Sequence, residues 1–151
     1  ILLLFIKIIF FIFFNLSNKY KIFLGDSGSL FLGFFVSWLL IIISQEYENI
    51  FHPVLTIWCV SLPVLEFFSV VFRRSMLGLN PFKSDRRHLH HIFFDLGYST
   101  NKILIIFSFL GMALNLLGIM FFYIYGPMPS LLLFIFLLIS YISISSFFIK
   151  K

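Results

Sequence analysis

Residues 103–149 decide the fold, and they read ILIIFSFLGMALNLLGIMFFYIYGPMPSLLLFIFLLISYISISSFFI. They contain two apolar runs, 103–125 and 129–149, which are separated by the Gly-Pro-Met-Pro segment 126–129. An α-helix rises about 1.5 Å per residue, so about 20 residues cross a hydrocarbon core about 30 Å thick. Each run is long enough, and Gly and Pro between them favour a turn. The stretch therefore predicts a hairpin of two membrane-spanning helices.

Three more apolar stretches precede this hairpin, at 1–14, at about 28–44 and at 50–72. Their apolarity shows no 3.6-residue period, which is typical of helices surrounded by lipid or by one another. The sequence lacks the alternating strands of about ten residues that membrane β-barrels need. We therefore expect an all-α polytopic membrane bundle of about five transmembrane helices, with residues 1–151 forming part of a single domain.

The composition excludes several classes of protein. Of 151 residues, 61% are hydrophobic and 11% are charged, and the mean hydropathy is +1.08. A typical soluble domain has about 25% charged residues, so a soluble enzyme and a disordered tail are both excluded. A single cysteine excludes a disulfide scaffold. The net charge of +5 does not indicate a nucleic-acid partner, because the distribution of the charge fits membrane topology better.

The basic residues predict the orientation in the membrane. Alternate crossings place the loops 15–27 and 73–102 and the C-terminus on one side. That side carries ten of the eleven Lys and Arg residues, and the exception is Lys7. The ten are Lys19, Lys21, Arg73, Arg74, Lys83, Arg86, Arg87, Lys102, Lys150 and Lys151. Because positive loops stay in the cytoplasm, this side is predicted to be cytoplasmic.

The first cytoplasmic loop ends in Phe-Leu-Gly-Asp-Ser-Gly-Ser at 23–29. Asp26 lies there at the foot of a membrane helix, and the flanking glycines allow the backbone to turn tightly. A carboxylate in this position can hold Mg²⁺, which takes oxygen ligands and is commonly shared with phosphate. The alternative is that Asp26 only caps the helix.

The second cytoplasmic loop carries a concentrated cationic segment, with four arginines and three histidines between positions 73 and 91. Arginine offers a planar fork that matches phosphate oxygens, and histidine can donate beside it. We therefore expect phosphate recognition. The alternatives are binding of anionic lipid and a zinc site that uses His88, His90 and His91.

Two further polar residues lie near the predicted membrane helices. Glu66 precedes Arg73 by seven positions, so both residues share one helix face. An ionisable group at this depth indicates a functional site or an ion pair, here with Arg73 or Lys7. Asn15 could offer an amide oxygen to a metal or a sugar, or it could cap a helix.

The segments 23–29 and 62–91 together resemble the polyprenyl-phosphate N-acetylhexosamine-1-phosphate transferases, which are membrane enzymes. The first resembles that family's Phe-Met-Gly-Asp-x-Gly-Ser block, with Leu24 where Met is usual. The second resembles its Arg-Arg … Gly-x-x-Pro-Phe … Asp-Arg-x-His-x-His-His block. The matching residues are Arg73, Arg74, Gly78, Pro81, Phe82, Asp85, Arg86, His88, His90 and His91.

The resemblance implies transfer of a sugar-1-phosphate from a UDP-sugar to undecaprenyl phosphate with release of UMP, and it implies Mg²⁺, with Mn²⁺ as an alternative. By this resemblance Asp26 is a metal ligand, and Asp26, His88, His90 and His91 are catalytic residues. The implied substrate-binding residues are Asn15, Glu66, Arg73, Arg74 and Arg86. The His-x-His-His pattern resembles the branch that uses N-acetylglucosamine. Glu66 instead resembles the pentapeptide branch, because the N-acetylglucosamine branch commonly has Asp at this position.

The family's paired-aspartate motif and its Asn- and Asp-rich motif do not occur in this sequence. We therefore expect a C-terminal part of the enzyme that is inactive alone, in a bacterial inner membrane with its site on the cytoplasmic face. A second copy of the chain is a candidate partner. The alternative function is a non-catalytic membrane subunit or a transporter fragment.

Overall fold

The structure, a computed structural model, describes residues 2–16, 20, 24–47, 50–80 and 93–149. These residues form helices and contain no strand, which confirms the all-α class. The helices are α1 (Leu2–Leu16), α2 (Gly25–Glu46), α3 (Pro53–Cys59), α4 (Ser61–Met76), α5 (Thr100–Tyr125) and α6 (Pro127–Ile149). The chain divides into two compact units, Ile1–Ile43 and Ser44–Lys151, and each is described by itself.

Three helices of the described residues are long and apolar enough to cross a membrane. They are α2, α5 and the Pro127–Ser146 part of α6, and α3 with α4 makes a fourth if that bent pair is one span. The remaining expected span is the stretch 1–14, where α1 has 15 described residues, fewer than the roughly 20 that cross a hydrocarbon core. The prediction of a polytopic helical membrane bundle is confirmed.

The predicted single span over 50–72 is broken in the structure, since α3 and α4 meet at an angle of 74°. Pro63 explains the break, because its ring clashes with the carbonyl of the residue four positions earlier, which is Cys59. As the third residue of α4 it costs no helical hydrogen bond, because the first N–H groups of a helix have no partner within it. A count of apolar residues does not register this change of direction.

Polar contacts join α6 to the bent pair in the second unit. Trp58 Nε1 donates to Ser130 Oγ at 3.0 Å, and Ser69 Oγ lies 2.6 Å from Ser145 Oγ. The residue numbers rise together along both elements, so α4 and α6 run parallel. This is the direction that alternate crossings predict, and it brings the end of α4 and the end of α6 to the same side of the unit.

Helix α5 runs in the opposite direction to the bent pair. Along α5, Phe122 contacts His52, Gly118 faces Trp58 and Gly111 faces Leu62. The tightest of these approaches is at Gly118, where a methyl group would overlap the indole ring of Trp58. The buried indole also packs edge-on against Phe134 of α6, with the ring centroids 5.3 Å apart. Trp58 is therefore the point at which α3, α5 and α6 meet.

Candidate functional site

The first predicted site element is the start of α2, in the first unit. Gly25 has φ +68°, a conformation that residues with a side chain rarely adopt. The chain turns there, so that Asp26 lies in the first turn of α2 with its side chain exposed. The N-terminal end of a helix carries a partial positive charge that stabilises a carboxylate. Asp26 is thus an exposed anion at a helix start.

The second glycine of this segment has a different role from the one predicted. A Cβ at Gly28 would lie 2.7 Å from Leu24 Cγ, so Leu24 folds back over the first turn and Gly28 provides the space. A groove between α1 and α2 opens beside this contact. It is lined by Lys7, Ile8, Phe11, Leu24, Gly28, Phe31 and Leu32. Lys7, the basic residue outside the predicted cytoplasmic side, lines this groove.

Arg73 and Arg74 form the second site element, in the second unit. We predicted them in the loop 73–102, but α4 continues to Met76, so they lie in its last helical turn. Their side chains are only 5% and 7% exposed. Cations near the C-terminal end of a helix interact favourably with its partial negative charge. The correction matters because a buried guanidinium has a fixed position, whereas one in a solvated loop does not.

The end of α4 is closed by a Schellman motif. Leu79 N donates to Arg74 O at 2.9 Å, and Gly78 N donates to Ser75 O at 3.1 Å, while Gly78 has the φ of +66° that this motif needs. The Arg74 side chain strengthens the closure, because its Nε donates to Asn80 O at 2.7 Å. Arg74 therefore fixes the direction in which the chain leaves α4.

The returning end of the same loop is also packed. The ring of Phe93 contacts Tyr98 edge-on with the centroids 5.5 Å apart, and it contacts Phe107 of α5 at 6.2 Å. Arg86, His88, His90 and His91 lie outside the described residues, and their roles stay predictions. The loop that carries them contacts helices of the second unit at both of its described ends, through Asn80 to α4 and through Phe93 to α5.

Glu66 lies partly buried in α4, and the Tyr141 hydroxyl of α6 donates a hydrogen bond to its Oε1. The Ser69–Ser145 contact lies one turn further along both helices. Sequence reasoning missed Tyr141 and Ser145. The sequence did contain a pattern that could have identified them. They are polar residues four positions apart within an apolar run, and this spacing places them on one face of α6.

Asn15 lies in the last turn of α1 and is partly buried. Its capping role and its role as a ligand both stay predictions. Among the described residues, no group of three or more His, Cys, Asp or Glu side chains could hold a metal ion. Asp26 and Asn15 belong to the first unit, and Glu66 and the arginines belong to the second. Their convergence on one ligand stays a prediction.

The geometry defines a class first: a polytopic helical membrane protein with an exposed carboxylate at one helix start and two enclosed arginines at one helix end. Comparison with known proteins then supplies the family. Residues 1–44 match the sequence profile of glycosyl transferase family 4. This match and the curated relatives below confirm the predicted resemblance to that family.

The relatives carry one name, undecaprenyl-phosphate alpha-N-acetylglucosaminyl 1-phosphate transferase. The protein of Yersinia pestis is 30% identical over 104 residues, which are 69% of this chain and 28% of the relative. The protein of Escherichia coli K12 is 30% identical over 105 residues, or 70% and 29%. That of Salmonella typhi is 31% identical over 104 residues, or 69% and 28%. The chain thus spans less than a third of their length. No solved structure matches it significantly.

Proposed function

We propose that this chain is part of a membrane enzyme that transfers N-acetylglucosamine-1-phosphate from a UDP-sugar to undecaprenyl phosphate and releases UMP. The observation that carries the proposal is the 30% identity over about 70% of the chain to transferases named for this sugar and this lipid. The His-x-His-His pattern at 88–91 supports the same sugar.

The reaction exchanges one phosphorus–oxygen bond for another. An oxygen of the lipid phosphate attacks the phosphorus that bears the sugar, and the bond from that phosphorus to the bridging oxygen breaks. The electron pair of that bond leaves with UMP. Because charge increases on the phosphoryl oxygens, catalysis depends mainly on positioning and on fixed electrostatic partners.

Asp26 is the residue that we propose as a ligand of Mg²⁺, with Mn²⁺ as an alternative. Mg²⁺ is commonly bound by one or two carboxylates together with substrate phosphates, and an exposed carboxylate at a helix start fits that donor set. When bound, the ion would neutralise charge on the diphosphate. The positive end of α2 would meanwhile favour anions beside Asp26. Asn15 would contribute an amide oxygen nearby.

Arg73 and Arg74 would act on the diphosphate together with Arg86, His88, His90 and His91. Enclosure limits their motion, so a guanidinium here loses little entropy when an anion arrives. The bond from Arg74 Nε to Asn80 uses one of the five donors of that guanidinium. Arg74 would therefore combine an anion-facing role with anchoring of the loop that carries the histidines. Glu66 would bind substrate or orient Arg73.

The site would lie at the cytoplasmic face of a bacterial inner membrane. The soluble UDP-sugar and the lipid acceptor can meet only at a membrane surface. The ten basic residues on one predicted side support the cytoplasmic surface. The parallel course of α4 and α6 fits this threading, since it brings the arginines and the end of α6 to one side of the second unit.

The experiment is an assay of the full-length gene product in detergent or vesicles. It is supplied with labelled UDP-N-acetylglucosamine, Mg²⁺ and undecaprenyl phosphate. We expect release of UMP together with a labelled lipid, and neither product when undecaprenyl phosphate is left out. Absence of both products under all conditions would contradict the proposal and favour a non-catalytic membrane subunit. Transport of the label into vesicles without release of UMP would favour a transporter.

A further inference from the structure

The groove between α1 and α2 combines an apolar lining with one charged side chain. Its lining residues are apolar or glycine, with the exception of Lys7. Lys7 is also the only charged residue in the apolar stretch 1–14. An ionisable group within a membrane segment is costly, and by default it indicates a functional site. The proposed reaction does not use Lys7, so its place in this groove requires a separate explanation.

The groove lies at the end of the first unit that carries the proposed metal ligand. Its α2 wall includes Gly28, which follows Asp26 by two residues, or about 3 Å of helix rise. On α1, Phe11 and Asn15 follow Lys7 at equal spacings of four, so the three residues share the face that lines the groove. The groove therefore extends from the apolar part of the unit toward the helix ends at which Asp26 and Asn15 lie.

The size and the lining of the groove indicate a lipid chain as its ligand. Its volume is about 240 Å³, which is below the roughly 300–1,000 Å³ of pockets that enclose a whole small molecule. Apolar walls favour a hydrocarbon segment over a nucleotide or a sugar, because polar groups would lack partners there. The cation in the same walls favours an anionic lipid over a neutral one.

The position of Lys7 favours the lipid acceptor over an ordinary phospholipid. Lys7 lies nine residues before the end of α1 at Leu16, or about 13.5 Å along the helix. A lysine at such a depth extends its ammonium group toward the membrane surface, where it would meet a phosphate placed beside the start of α2. Undecaprenyl phosphate brings one chain and one phosphate monoester to this single groove, whereas a phospholipid has two chains to accommodate.

We propose that the groove between α1 and α2 binds the first isoprenoid units of undecaprenyl phosphate, and that the Lys7 ammonium group contacts its phosphate. This inference rests on the proposed function for the identity of the lipid. It gives α1 a role in acceptor binding, through a residue that lies outside the motifs of the resemblance.

Lys7→Met in the full-length gene product removes the charge and keeps a long apolar side chain. A hydrogen bond to a charged group corresponds to about a tenfold effect, so the KM for undecaprenyl phosphate should rise about tenfold. The KM for UDP-N-acetylglucosamine should change less than about twofold, because the nucleotide sugar does not occupy the groove. Lys7→Arg restores the cation and should return the KM for the lipid to within about threefold of the wild type.

A second pair of variants tests the groove itself. Ile8 lines the groove, whereas its neighbour Ile9 is 63% exposed and does not line it. Ile8→Trp should fill the groove and raise the KM for undecaprenyl phosphate about tenfold or more, because the chain loses apolar contact area. Ile9→Trp is the matched control, and its KM should stay within about twofold of the wild type. Melting curves in detergent verify that each variant is folded.

Photolabelling measures occupancy of the groove directly, with a polyprenyl phosphate that carries a photoreactive group near its phosphate end. We expect label on the groove residues, displaced by undecaprenyl phosphate and not by an equal amount of phosphatidylglycerol. Displacement by phosphatidylglycerol would indicate an ordinary lipid site, and an unlabelled groove in an active enzyme would indicate that protein covers it. Either result would overturn the inference, and so would equal rises of both KM values in Lys7→Met.

The same experiments separate this inference from the proposed function. Absence of UMP release from the wild type would contradict the proposed function. Labelling of the groove requires no turnover, so it is measured independently of that result.

Discussion

In the first unit, Asp26 stands exposed at the start of α2, whereas in the second unit Arg73 and Arg74 are enclosed at the end of α4. Both sets of charges lie at helix ends, and both match the partial charge of their helix end. They differ in what holds them. Asp26 is placed by a local backbone turn at Gly25, while the arginines are placed by burial and by the helix cap.

This difference indicates how the two charges respond to substitution. An exposed side chain contributes little to folding, so a change there should alter function alone. An enclosed charged side chain belongs to the packing of its unit, so a change there should alter stability as well as function. The following predictions test this division.

Asp26→Asn in the full-length gene product should produce the largest effect. Turnover should fall about 100-fold or more, because Asn lacks the negative charge that would bind the metal ion. The free energy of unfolding should change by less than about 1 kcal/mol, since the side chain is exposed. UMP release and melting curves measure the two quantities.

The control for this variant is Ser29→Ala, which removes a hydroxyl that donates to Asp26 O at 2.9 Å and leaves the carboxylate in place. Its turnover should remain close to that of the wild type. Undiminished turnover of Asp26→Asn at ordinary Mg²⁺ would remove the proposed metal role.

Arg74→Lys tests the enclosed charge. Lysine keeps the charge but lacks the planar fork whose Nε donates to Asn80 O at 2.7 Å. Loss of that bond should lower the free energy of unfolding by about 1.5–3 kcal/mol, as measured by denaturation in detergent. Lys102→Gln removes an exposed cation of α5 and should change it by less than about 0.5 kcal/mol. Equal losses from the two variants would refute the contrast between exposed and enclosed cations.

Gly118→Ala tests the packing that surrounds the enclosed groups. The added methyl group would overlap the Trp58 ring, so we expect a loss of about 1–3 kcal/mol from overpacking. Gly111→Ala is the matched control on the same helix, because its Cβ would lie 3.9 Å from Leu62 Cδ2. It should gain up to about 1 kcal/mol from helix propensity. A stabilising Gly118→Ala would show that α5 does not approach Trp58 closely.

The smallest expected effect concerns the Trp58–Ser130 bond, which is 3.0 Å long and buried. A double-mutant cycle with Trp58→Phe and Ser130→Ala isolates the pair from the volume that each substitution removes. The coupling energy should be about 0.5–1.5 kcal/mol, as for a neutral hydrogen bond. Additive losses would mean that the two side chains do not interact in the membrane-embedded protein.

Much of the fold could be predicted from local features of the sequence. The apolar runs at 103–125 and 129–149 correspond to α5 and α6 within three residues at each end. The Gly-Pro turn and the parallel course of α4 and α6 also agree with prediction. The break between α3 and α4 could also have been predicted locally, from Pro63. A prediction of spans from the length of apolar runs does not take proline into account.

The candidate site was predicted less completely. The motif residues revealed the resemblance to a family, because residue types at given spacings can be read directly from the sequence. The burial of Arg73 and Arg74 was not predicted, since charge in a sequence normally indicates exposure. Their position depends on how far α4 extends past the apolar run, and that extent is set by the cap at Gly78.

The sequence by itself determined the membrane character of this protein, its helical class and its resemblance to a family, because each depends on composition or on short spacings. Only the tertiary structure decided which partners those residues have. Glu66 and Tyr141 are 75 positions apart, and Trp58 and Ser130 are 72 apart. Contacts over such separations arise from the packing of whole helices, and no local pattern in the chain specifies them.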